Sequence, residues 1–374
     1  MYLDRTKGLE EIVAAIAQQT QHKDDLALVL VGEENPPDIA ELIARLNARN
    51  INFMGGIFPG IIHGEQRFRE GLVVRSLPVL APPFVVSGLD RDTPALPDFG
   101  EKILQIAAKK YTALILVDGL TSNIALLLAE IFNRCGDAMH YLGGGAGSLS
   151  LRQAPCVFSR HGFAQDTALI AFVKMESHLG VRHGWQKIMG PIVATKTRKN
   201  LIVELNWRNA FDVYRETVER DAGKPLSPEN FFDIAKGYPF GIFKEGEEDL
   251  VRDPIAVNER GELICVGEVP ENTVLYILKG EQAALIQAAG QAVEDCRMRA
   301  GQTPRHTFMV DCISRTLFLE ENFPLELELV NRKFRGLDAN LTPFGMLSLG
   351  EISSYGEGFV EFFNKTIVTG VLYE

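Results

Sequence analysis

Three segments of this chain, Leu26 to Val31, Leu114 to Val117 and Phe308 to Cys312, are apolar with no alternating polar face. A strand of that kind must be covered on both sides, by helices or by a second sheet. Each segment also sits in the same local order. A helical pattern precedes it: Leu9, Ile12, Val13 and Ile16 in the first case, Glu101 to Lys110 in the second, Glu281 to Met298 in the third. A second helical pattern follows, at Ile39 to Asn47 after the capping residue Asp38, from Ser122 or Asn123 to Asn133, and from about Leu317 to Arg332. Next come strands that run into glycine, Asn52 to Met54 before Gly55-Gly56, Met139 to Leu142 before Gly143-Gly144-Gly145, and Met346 to Leu349 before Gly350. Further strands, near Phe58 to Ile62 and Leu72 to Leu77, Cys156 to Arg160 and Ala168 to Val173, and Thr366 to Tyr373, complete the copies. The expected fold is therefore α/β, with mixed β-sheets built from diverged βαββ-like repeats and covered by helices.

Two regions interrupt this order. A proline-rich connector, residues 77 to 100, holds one edge strand at Phe84 to Ser87. Between the second and third copies, Val193 to Thr197 and Leu201 to Asn206 alternate around Arg198-Lys199-Asn200 as a hairpin, with Gly190-Pro191 reading as a turn before it. A helix from Asn206 to Glu219 and a run of short strands follow. A chain of 374 residues exceeds one ordinary core, and the expected halves are residues 1–207 and 208–374.

Composition excludes several functions. The formal charge of -11, with no cluster of Lys and Arg, argues against nucleic acid and anionic lipid. No apolar stretch reaches membrane-spanning length, and the first residues read as an amphipathic helix rather than a signal peptide. The five cysteines, at 135, 156, 265, 296 and 312, show neither CxxC pairing nor zinc-ligand spacing. They are expected to be reduced thiols of a cytoplasmic protein without metal or cofactor.

Candidate site residues gather near strand ends, where α/β folds place ligands. Cys312 and Arg315 close one apolar run: either the guanidinium grips a carboxylate in fork geometry, or it pairs internally with Asp311. Glu351 follows Gly350, and Asn364 and Thr366 open the last strand; such residues serve a ligand or satisfy backbone groups. Lys365 between them should alternate outward to water. His183 and Trp185 offer a hydrogen-bonding edge and an apolar wall, or a turn with a tryptophan lid. The glycines lack the spacing of a nucleotide fingerprint, so Gly55, Gly56, Gly143, Gly144 and Gly350 read as backbone turns near the pocket.

An apolar strand ending Cys312-Ile313-Ser314-Arg315, a later Gly350-Glu351-Ile352 and a closing Asn364-Lys365-Thr366 resemble the C-terminal half of the FIST sensory-domain family. Gly55-Gly56 with Gly60, Gly143 to Gly145 and His183-Gly184-Trp185 are similar to its N-terminal half. Ile313-Ser314 and the charged Lys365 depart from the family pattern. The resemblance implies a ligand-sensing module for small molecules, with an amino acid or related carboxylate as ligand. Arg315 would then take the carboxylate, Glu351 the ammonium, and Asn364 would bridge both. With the chain consumed by the sensory resemblance, output is expected through a partner in trans, such as a histidine kinase or a diguanylate cyclase. The competing readings are an enzyme acting on a small carboxylated metabolite through Cys312 or Glu351, and a ligand-free interaction scaffold.

Overall fold

In the computed structural model, which describes residues 1–91, 96–100, 111–245, 248–296, 302–354 and 359–373, each apolar segment is the first strand of a parallel pair. Asp25–Gly32 pairs with Asn52–Phe58, Tyr111–Asp118 with His140–Ala146, and Pro304–Cys312 with Phe344–Ser348. Parallel neighbours need a crossover. Helices Ile39–Ala48 and Ile124–Cys135 supply it in the first two copies, and the consecutive helices Ile313–Leu319 and Phe323–Leu337 in the third. The returning strand of each copy, Leu72–Pro78, Thr167–Arg182 or Ile367–Tyr373, lies antiparallel on the other side of the first strand.

Between second strand and return, each copy makes a short hairpin and pairs it with a different copy. Gly60–His63 of the first copy pairs with Phe344–Ser348 of the third. Glu351–Ser354 of the third pairs with His140–Ala146 of the second, and Val157–Ser159 of the second with Asn52–Phe58 of the first. The repeats are thus interlocked in a closed cycle of exchanged hairpins. A direct pairing of Thr167–Arg182 with Ile367–Tyr373 joins the second and third copies into one eleven-stranded sheet, which faces the six-stranded sheet of the first.

Side-chain alternation explains the doubly apolar strands. Leu28 and Leu30 turn into the core between the sheets with Leu114, Leu142 and Phe308, while Val29 and Val31 pack under Ile12, Ile16, Leu42 and Leu46 of the covering helices. The glycines Gly55, Gly56, Gly143 and Gly144 lie inside strands, not in turns; of the five named, only Gly350 has a left-handed φ, +146°. Glycine is needed there for approach rather than turning. A Cβ on Gly55, Gly143 or Gly345 would fall 2.3, 1.8 or 1.7 Å from the carbonyl oxygen of its own parallel partner, Val29, Ile115 or Met309. The three positions are equivalent in the repeats.

The region between copies two and three forms a separate antiparallel sheet. Gln186–Arg198 pairs with both Thr273–Lys279 and Leu201–Leu205, so the sheet closes on itself. Helix Ala210–Ala222 buries Tyr214 against Phe231 and Phe240 in its core. Gly190-Pro191 falls within the long strand, at a register irregularity that absorbs the missing proline donor, rather than in a turn. The helix expected over residues 101 to 110 lies outside the described residues. The helix expected from Leu317 begins instead at Ile313 and is interrupted at Glu320, whose φ is +49°. Among the described residues no helix is long and apolar enough to cross a membrane, and no group of His, Cys, Asp and Glu is arranged to hold a metal. All five cysteines are free and buried.

Candidate functional site

The parallel strands of the third repeat end side by side, with Cys312 opposite Ser348. The Cys312 N–H donates to the Thr366 carbonyl at 3.2 Å. The Thr366 N–H donates to Glu351 Oε2 at 3.2 Å, and Ser348 Oγ lies 2.6 Å from Glu351 Oε1. Thr366 Oγ1 donates to the Asn364 carbonyl at 2.9 Å. Glu351, across from Gly144 on the exchanged hairpin, has no exposed surface. Burial pushes its carboxyl up to about 8, against the opposing hydrogen bonds from Ser348 and Thr366. At neutral pH the carboxyl is therefore largely protonated; Ser348 Oγ donates to its Oε1 and lies 3.4 Å from the Asp311 carbonyl. Burial and the neighbouring Glu351 also push the Cys312 thiol up, so no thiolate forms there at neutral pH.

Arg315 sits one turn into the following helix, fully buried. Its Nε donates to Asp311 at 3.1 Å, Nη1 to the His183 carbonyl at 2.6 Å, and Nη2 to the Leu285 carbonyl at 3.1 Å and to Glu326 at 2.5 Å. Burial and the charge of Glu326 raise the Asp311 carboxyl well above the ordinary range. His183 Nδ1 accepts the Trp185 N–H at 2.8 Å, and its Nε2 lies 2.9 Å from Glu248. Burial works to raise Glu248, but His183 and Arg182 outweigh it and hold the carboxylate at about 2. The Trp185 indole donates to the Lys365 carbonyl at 2.9 Å and packs on Phe318.

Lys365 does not reach water. Its φ of +54° makes Asn364-Lys365-Thr366 a bend, where strand alternation does not apply. The buried Nζ donates to the Lys236 carbonyl at 2.9 Å, lies 3.1 Å from Asp253 and stands 4.9 Å from the Trp185 ring centre. Asn364 Oδ1 accepts from Arg252 Nη1 at 3.4 Å, and Arg252 Nε donates to the Glu268 carbonyl at 2.9 Å. Gly267, with a φ of +82°, leaves its bare Cα against this pair. The bend is thus clamped from two sides, by Glu351 of the repeats and by Arg252 and Asp253 of the inserted sheet.

Cys312, Glu351, Gly350, Asn364 and Thr366 come together in this way, with Gly144 alongside. Arg315, His183 and Trp185 form an adjoining knot joined to it through Asp311 and Lys365. Gly55 and Gly56 belong to the other sheet, where Gly55 packs on Phe158. Clefts of about 490 and 800 Å³ open elsewhere, beside His22, Arg49 and Arg160 and beside Arg67, Glu320 and Phe323. Sequence reasoning missed Ser348, Arg252, Asp253 and Glu326. Three of these carried a signal: Arg252-Asp253 is a charged pair in an otherwise apolar strand, and Glu326 falls on the helix face of Phe323, Leu327 and Val330.

Interlocked α/β repeats, an inserted closed sheet and a buried polar bend where they meet define the class: a mixed α/β module. The FIST N domain model matches residues 25–208 and the FIST C domain model residues 210–354. The chain belongs to the FIST family, whose domains are associated with sensory signal transduction. No curated protein matches it.

Proposed function

We propose that the protein senses a small carboxylate, amino acids being the first class to test, at the Asn364–Thr366 bend, and signals through a partner in trans such as a histidine kinase or a diguanylate cyclase. The observation that carries this reading is the double clamp: one three-residue bend ties the repeats to the inserted sheet. A ligand that bound it would shift how the two bodies sit, provided that it favours one arrangement. The anchor is Arg252 rather than Arg315. Four of the five Arg315 donors are taken by the protein itself, whereas among the described residues nothing accepts from Arg252 Nη2 or Asn364 Nδ2. A guanidinium edge beside an amide suits a carboxylate. The raised Cys312 thiol supports binding over nucleophilic chemistry.

Thermal shift against amino acids and central metabolites tests this. A ligand at about 100 times its Kd should stabilise the fold by roughly 2.7 kcal/mol. The gain should vanish in Asn364→Ala and in Arg252→Met. A saturating ligand that still stabilises both variants places the site elsewhere, and silence across the panel overturns ligand sensing in favour of the scaffold.

A further inference from the structure

A second group of charged side chains lies far along the chain from this bend, at the rim of the core between the two sheets. Phe344, on the second strand of the third repeat, is its centre. Arg75, from the returning strand of the first repeat, places its guanidinium carbon 4.8 Å from the Phe344 ring centre. The His306 ring meets the same phenylalanine edge-on at 6.4 Å and 89°. His63, at the end of the exchanged hairpin, is the cross-strand partner of Phe344.

All three are basic, and among the described residues the group has no counter-charge. Among the described residues the Arg75 side chain takes part in no ion pair or hydrogen bond, and its Nε is buried without an acceptor. Leaving a guanidinium N–H buried and unpaired is costly. The other charged groups that face the two rings are Arg305 and the amino group of Met1, both also basic. All three side chains are half-buried, so they remain open to a small solute.

We infer that Arg75, His63 and His306 form a binding site for a compact dianionic oxyanion of the phosphate-monoester class, seated at the junction of the first and third repeats. Arg75 would give its fork of N–H donors to two oxygens, and each imidazole would donate one more. A dianion fits better than a carboxylate because the cluster brings one permanent positive charge and two acquirable ones. Burial and the nearby positive charge hold both histidines at about 4, so they are neutral in the empty site. A bound dianion would reverse that balance and draw protons onto the rings.

Histidine-resolved NMR of the full chain, titrated from pH 8 to 5 with and without inorganic phosphate at constant ionic strength, reads this directly. His63→Gln and His306→Gln assign the resonances. Without phosphate both rings should stay neutral across the range. With phosphate their midpoints should rise by at least about one unit, towards the ordinary value near 6.5. Arg75→Met, which keeps a stem over Phe344, should weaken phosphate binding at least about tenfold and remove the shift. Resonances that ignore phosphate overturn the proposal. So does an equal response to acetate, or an equal response to phosphate in Arg75→Met.

Discussion

Glu351 makes the sharpest prediction at the scale of one residue. Its folded carboxyl keeps its proton up to about pH 8, whereas the unfolded chain loses it near 4.5. The unfolded state therefore binds fewer protons in that window, and stability must fall as pH rises through it. The neutral histidines His63 and His306 act in the opposite direction, but only below their unfolded value of about 6.5. Between about pH 6.5 and 8 the Met1 amino group, lowered by burial to about 5, opposes Glu351, so the Glu351 contribution, on the order of 1.4 kcal/mol per pH unit, is read as the difference between the parent and Glu351→Gln. Glu351→Gln copies the uncharged carboxyl, its amide occupying the same place between Ser348 and Thr366. Urea denaturation at a series of pH values should show the parent losing stability relative to Glu351→Gln as pH rises through this window. The same pH dependence in both would mean that Glu351 is ionised in the fold. The sequence made Glu351 conspicuous as an acid between apolar runs. It could not show that Lys365 is buried, because the outward expectation assumed an unbroken strand and a positive φ turned it inward.

At the scale of the element, the repeated strand–helix–strand unit was legible because its periodicities are local: period two in the strands, 3.6 in the helices, and a capping Asp38 whose side chain accepts the Glu41 N–H. The hairpin strand Glu351–Ser354 was not legible, since Glu-Ile-Ser-Ser has the composition of a solvated loop yet is wholly buried. The glycines were legible as close approaches but misread as turns. That distinction can be tested. Gly143→Ala puts a methyl 1.8 Å from the Ile115 carbonyl oxygen, and neither backbone can move without parting the strands. The expected cost exceeds about 3 kcal/mol, the upper end of ordinary overpacking. Gly223→Ala is the control: its φ of +64° and ψ of 22° lie in the left-handed region, but nothing lies within 4 Å of the added carbon. There the cost is only that of a left-handed alanine, about 1–2 kcal/mol. Equal losses in urea denaturation would mean that Gly143 serves conformation rather than approach.

At the scale of the whole molecule, the exchanged hairpins decide what can fold alone. Their pairing was invisible in the sequence because the partners stand far apart along the chain, as when Ile61 meets Met346, and a short strand does not encode whose edge it will join. Residues 1–207 expressed alone would keep the first repeat and most of the second. They would lose Phe344–Ser348 from beside Gly60–His63, Glu351–Ser354 from beside His140–Ala146, and Ile367–Tyr373 from beside Thr167–Arg182. In the repeats three strands would then present unpaired edges, one of them, His140–Ala146, fully buried in the intact fold. Open apolar edges pair with other chains. The fragment should therefore aggregate or melt without a cooperative transition, although one family model ends almost where it does. Co-expression with residues 208–374 should restore a soluble complex that melts as one unit, because the missing strands return as partners rather than as covalent neighbours. A monomeric, cooperatively melting 1–207 fragment would show that the cycle of hairpins is not needed for folding, and that a signal from the Asn364–Thr366 bend need not pass through it.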